Sequence, residues 1–128
     1  MQRVTSIVTV LLGLVLAGPF AMRWLFAPES GAAEMGITLS GPAAISHLRG
    51  DTGGAFLAVG VLVLLGVFRK EPGYLEAVAL IMVGIVLARL YGIAVDGYAV
   101  QVGVAIGVEL VTAAACYLSA RGLRAAVA

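Results

Sequence analysis

Charge is scarce in this chain. Eight Lys/Arg and seven Asp/Glu account for 12% of its 128 residues, while 62% are hydrophobic; soluble domains carry about 25% charged residues. So little polar surface points to an integral membrane protein. A net charge of +1 without a basic run excludes the electrostatic footprint of a nucleic-acid binder. Cys116 is the single cysteine and His47 the single histidine. An intrachain disulfide, a CxxC redox pair and a Cys/His zinc site are therefore excluded. Metal-ligand spacing, a nucleophile elbow and a phosphate loop are also lacking, so no metal and no cofactor is expected.

What the chain has instead is long apolar runs, at about residues 7–26, 52–68, 75–93 and 100–118. Each approaches the roughly 20 helical residues needed to cross about 30 Å of hydrocarbon. The runs are continuously apolar rather than alternating, which favours helices over barrel strands. The expected architecture is all-α, an integral membrane bundle of four transmembrane helices forming a single domain over 1–128. The first run reads as a retained helix rather than a secretory signal. Only Arg3 precedes it, Pro19 sits badly for cleavage after Gly18, and the apolar character continues through Trp24 to Phe26. Pro19 is expected to kink it, which neighbouring helices tolerate.

Arg3, Arg69, Lys70, Arg121 and Arg124 flank one side of the predicted membrane and Arg23 and Arg49 the other. By the positive-inside rule, both termini and the Arg69-Lys70-Glu71-Pro72-Gly73 turn are expected on the cytoplasmic side of the cell (inner) membrane. The outer loop over 27–46 holds Pro28, Glu29, Glu34 and Pro42 and is longer than a helix connection needs. A short interfacial helix around 32–37 or a cap over the bundle mouth suits it, as does a plain surface loop.

Arg89 and Glu109 lie inside apolar runs, where an ionisable side chain is expensive and normally faces a partner or a wet cavity. At 1.5 Å of rise per residue, Arg89 sits roughly 20 Å above Leu75 and Glu109 roughly 14 Å below Val100. The two backbones then differ in level by a few ångströms, within reach of an arginine stem. Asp96 follows Arg89 by two helical turns, Arg49 and Asp51 open the second helix, and Arg23 ends the first. These charges occupy the same half of the bundle and can neutralise one another. In the fourth helix Gln101, Ala105, Glu109, Thr112 and Cys116 form one stripe, expected to face inward. Gly103 and Gly107 lie roughly opposite, Gly84, Ala88 and Gly92 repeat the small-residue pattern in the third helix, and Gly50, Gly54 and Ala58 in the second. These ridges are expected to pack closely against another helix, within the subunit or across a homo-oligomer.

The run Arg49-Gly50-Asp51-Thr52-Gly53-Gly54 opening a helix, Arg89 late in the next, the Asp96-Gly97 turn and Glu109 in the last resemble the bacterial domain-of-unknown-function family numbered 4345. The resemblance spans nearly the whole chain; Thr52 stands where it leads one to expect an aromatic residue, usually tyrosine. It implies a small four-helix membrane protein, distantly similar in layout to DoxX-like proteins, and no established reaction.

Function must then be argued from the charges. One reading is an internal ion-pair network of Arg49, Asp51, Arg89, Asp96 and Glu109 that fixes helix register. Another makes the same residues, with Arg23, His47 and Gln101 as secondary members, a site for a membrane lipid or other lipophilic or amphiphilic small molecule, since arginine's planar fork suits carboxylate or phosphate. Intramembrane acid–base chemistry at Glu109 assisted by His47, an oligomeric transporter and an accessory subunit of a larger complex are the remaining readings.

Overall fold

The computed structural model describes residues 2–126, with side chains from Val4 onward. The side chain of Arg3, counted above for orientation, lies outside the described residues. All regular structure among them is helical. Helix α1 runs Gln2–Val15, passes through a widened turn at Leu16–Phe20 and resumes as Ala21–Phe26. Helix α2 is Pro28–Glu34; α3 comprises Gly41–His47, a second widened turn at Leu48–Gly54, and Ala55–Phe68; α4 is Pro72–Asp96 and α5 Val100–Ala125.

Four segments are long and apolar enough to cross a membrane: Val4–Phe26, Gly41–Phe68, Pro72–Asp96 and Val100–Ala125. The shortest has 23 residues, about 34 Å of helix against about 30 Å of hydrocarbon. The protein is thus a multi-pass helical membrane protein. Every span is longer than its apolar run, because a helix continues through the polar boundary until a breaker stops it. The largest difference is in α3, which begins at Gly41-Pro42 rather than at residue 52. Proline is accommodated there in the first turn, where its missing N–H has no helical partner. The Arg49–Gly54 motif consequently lies within a helix, not at its start.

Pro28 likewise starts α2, four residues earlier than the interfacial helix expected at 32–37. Its end is a Schellman motif: Gly36 takes φ +71°, and the amides of Gly36 and Ile37 bond to the carbonyls of Ala33 and Ala32. At Pro19 the expected kink is present, with the preceding Gly18 leaving the helical region (φ −90°, ψ −109°) as a pre-proline residue tends to.

The principal contacts run round the bundle in the order α1, α3, α4, α5 and back to α1. The shared core takes Leu16 from α1, Val59 and Val63 from α3, Leu75, Val78 and Met82 from α4, and Ala113, Cys116 and Ala120 from α5. Two devices bring the helices close. A Cβ at Gly60 would fall 2.5 Å from the Ala17 amide nitrogen and 2.8 Å from the Gly13 carbonyl oxygen, so only glycine permits this α1–α3 approach. The Thr9 hydroxyl lies 2.8 Å from the Thr5 carbonyl, 3.2 Å from the Ala115 carbonyl and 2.9 Å from the Ser119 hydroxyl, tying α1 to α5.

The ridges singled out in the sequence do not make such contacts within the subunit. Nothing lies within 4 Å of a Cβ built at Gly50, Gly84 or Gly107, Gly54 and Gly92 meet only residues of their own helices, and Gly103 is covered by Tyr98. Spacing alone marks small residues without saying which face a neighbour occupies.

Packing is uneven along the bundle axis. The core links all four spans at the end carrying the Arg69–Gly73 turn, where the first turns of α1 and the last turns of α5 also lie, as the Thr9–Ser119 and Glu76–Arg124 contacts require. At the opposite end, residues 16–26 of α1 and 41–54 of α3 have one another as principal neighbours, with α2 and Ala55–Phe68. Phe20 meets Phe56 and Trp24 edge-on, and Gly31 of α2 sits on Trp24. The α4–α5 hairpin projects beside this half with no buried residue from Leu87 to Val108.

Candidate functional site

Arg89 and Glu109 meet at the boundary between these regions. In α4 the buried positions Leu75, Val78, Met82 and Val86 recur every three or four residues, and Arg89 continues the stripe. In α5, Glu109 begins the buried stripe that continues through Thr112, Cys116 and Ser119. The helices run antiparallel from a tight turn in which Gly97 takes φ +98°, a conformation glycine adopts without steric penalty. That hairpin brings the two side chains level.

The arginine Nε donates to both carboxylate oxygens, at 2.8 Å to Oε1 and 3.1 Å to Oε2. Glu109's side chain is 5% exposed and Arg89's 34%. Among the described residues only Nε of the guanidinium is hydrogen-bonded, so its two terminal nitrogens stay uncommitted. A carboxylate this deeply buried is sustained by its cation, while the cation keeps donor capacity. Thr112 satisfies its own hydroxyl on the Val108 carbonyl, at 2.8 Å.

The other charges form separate local contacts rather than one network with this pair. Arg49 donates from Nε to the Leu25 carbonyl at 3.0 Å, pinning α3 to the end of α1. His47 Nδ1 and Asp51 Oδ2 are 3.2 Å apart across one exposed turn of α3. Arg23 pairs with Glu34 and reaches Ser30, latching α2 onto α1. Asp96 is exposed, with no ion pair among the described residues, and Gln101 is exposed at the start of α5. The inward stripe of α5 therefore holds at Glu109, Thr112 and Cys116 and fails at Gln101, because the hairpin tip has no neighbour to face.

Sequence reasoning missed Glu34 as the partner of Arg23; eleven residues and a turn separate them, which no periodicity marks. It also missed the Arg124–Glu76 ion pair (2.7 and 2.6 Å) and the Thr9–Ser119 contact. His47 and Asp51, at i and i+4, were within reach of the helical spacing rule. Among the described residues no three His, Cys, Asp or Glu side chains are grouped as a metal site.

A concave apolar surface exists elsewhere, a groove of about 530 Å³ along α4 and α5 near the Arg69 end, lined in part by Leu80, Val83, Leu110, Ala114 and Tyr117.

Four apolar spans and a salt bridge set between two of them define a multi-pass helical membrane protein. Residues 4–120 match the family described as "Domain of unknown function (DUF4345)", and the chain belongs to that family. No curated protein and no solved structure matches the chain, so the expected likeness to DoxX-like proteins finds no support there.

Proposed function

We propose that the protein binds a lipophilic or amphiphilic small molecule through Arg89, with Glu109 holding the guanidinium in place. The observation that carries this reading is the one-sided use of the guanidinium: Nε is spent on Glu109, while the terminal nitrogens have no hydrogen bond among the described residues and the side chain is 34% exposed. A planar fork of this kind makes bidentate contacts to a carboxylate or phosphate. The apolar part of the ligand would lie against the α4–α5 hairpin, which buries no residue from Leu87 to Val108. The positive-inside rule, applied to Arg69, Lys70, Arg121 and Arg124, supports an orientation with the opposite end toward the outer face.

The test is native mass spectrometry of protein gently extracted from its own membrane, with identification of any retained amphiphile, on wild type and Arg89→Lys. Lysine keeps the charge beside Glu109 but removes the fork. A stoichiometric molecule retained by wild type and lost from folded Arg89→Lys is the expected result; an empty wild type, or equal retention by both, overturns the proposal.

A second reading, docking onto another membrane helix in a homo-oligomer or as an accessory subunit, is favoured by the open small-residue positions Gly84 and Gly107. Gly107→Leu would then change the assembly mass. An unchanged mass argues against that reading.

A further inference from the structure

We propose that the groove between α4 and α5 near the Arg69 end is a second, separate binding site, for an anionic phospholipid of the surrounding bilayer. One acyl chain would lie in the groove and the phosphate at Arg121. The groove's volume, about 530 Å³, falls within the roughly 300–1,000 Å³ of small-molecule sites. Its walls are aliphatic except at one end, where Glu76 and Tyr117 enter the lining. Along α4 it extends from Glu76 to Val83, about 10 Å of helix and so within one leaflet of a roughly 30 Å hydrocarbon layer.

Charge at the polar end selects the head group. Arg124 is committed to Glu76 through two hydrogen bonds. Arg121 is differently placed: its guanidinium carbon stands 5.9 Å from the Tyr117 ring centroid, and it has no ion pair or hydrogen bond among the described residues. A cation over the ring of Tyr117, itself part of the groove's lining, with its donors uncommitted, matches a phosphate on top of a buried tail. Basic residues between transmembrane helices at a membrane boundary are a recurrent means of holding anionic head groups. A zwitterionic lipid presents the same phosphate but adds an ammonium group, which repels this cation and leaves the net positive charge at this end unbalanced.

The experiment titrates purified full-length protein in detergent with dioleoylphosphatidylglycerol or dioleoylphosphatidylcholine and reads bound lipid by native mass spectrometry. The tails are identical, so the ratio isolates the head group. Wild type should prefer the glycerol lipid by roughly fivefold, the order expected for one basic side chain facing an anionic lipid. Arg121→Gln should abolish the preference, and Arg69→Gln, which neither lines the groove nor contacts Tyr117, should retain it. Ala114→Phe, at an exposed wall position, should weaken binding of both lipids by filling the groove. Arg89→Lys should alter none of this, so failure here and failure of the Arg89 site are read separately. Equal affinity of wild type for both lipids, a preference surviving Arg121→Gln, undiminished binding to Ala114→Phe, or a wild-type dimer that Ala114→Phe dissociates would each overturn the proposal.

Discussion

Glu109→Leu should destabilise the protein by about 3 kcal/mol, and adding Arg89→Leu should recover most of that loss. Glu109 is 5% exposed and Arg89 34%, so the substitution leaves a cation about two-thirds covered with no counter-ion. Breaking one side of a buried pair costs roughly 3–5 kcal/mol, and Arg89's partial exposure places this case at the low end. An unpaired arginine at the centre of a transmembrane helix gives a similar figure, roughly 2.5–3.5 kcal/mol on insertion scales. Replacing both partners by leucine removes both desolvation penalties and adds apolar contact, a change that is often neutral or favourable. Cys116 supplies the assay: it is the single cysteine, is fully buried and belongs to the core shared by all four spans. Labelling by a thiol-reactive fluorophore during titration with denaturing detergent therefore reports global unfolding. The double-mutant cycle isolates the coupling between the two side chains. A Glu109→Leu variant as stable as wild type, or a double variant as unstable as the sum of the singles, would refute the argument.

Close approach of α1 and α3 predicts that Gly60→Ala costs about 1–3 kcal/mol through overpacking, because its Cβ would stand 2.5 Å from the Ala17 nitrogen. Gly107→Ala, with nothing within 4 Å, should be neutral or gain up to about 1 kcal/mol from helix propensity; the thiol-labelling titration compares them. Thr9→Val should cost about 1 kcal/mol by removing the link to Ser119 and the Ala115 carbonyl, and Ser119→Ala in the same chain should add less than it does alone. Removal of Ser30 and Glu34 as partners, by Arg23→Gln, should speed proteolytic cleavage near α2 while leaving Cys116 protected, since that contact holds only α2 to α1. Equal cleavage rates in both proteins would contradict the latch.

The number and class of the spans were legible in the sequence because apolar run length is a local quantity with a fixed physical threshold. Helix ends were less so: Pro28 and Pro42 begin α2 and α3, yet in a polar loop they read equally well as turn residues. The Arg89–Glu109 contact followed from rise per residue and one tight turn, both short-range arithmetic. Partner choices for Arg23 and Arg49 did not follow. Arg23 found Glu34 only because a Schellman-terminated helix folds back along α1, and Arg49 found a backbone carbonyl, a partner no sequence pattern names.

The unequal exposure of Arg89 and Glu109 bears on what the pair is for. A salt bridge whose whole task is to set helix register gains most when both members are enclosed and every donor is matched, since uncommitted donors in a membrane interior are costly. Here the enclosure is lopsided: the carboxylate lies in the stripe that continues through Thr112 and Cys116, and both its oxygens meet a single nitrogen. The guanidinium stands at the first level where α4 ceases to bury side chains, with its terminal nitrogens free among the described residues. Register needs the carboxylate and Nε. It gives no account of the remaining donors, which the proposed anionic head group would engage. Arg89→Lys therefore separates the two roles more sharply than Arg89→Ala: a register device survives when the ammonium still reaches Glu109, whereas a bidentate anion site does not.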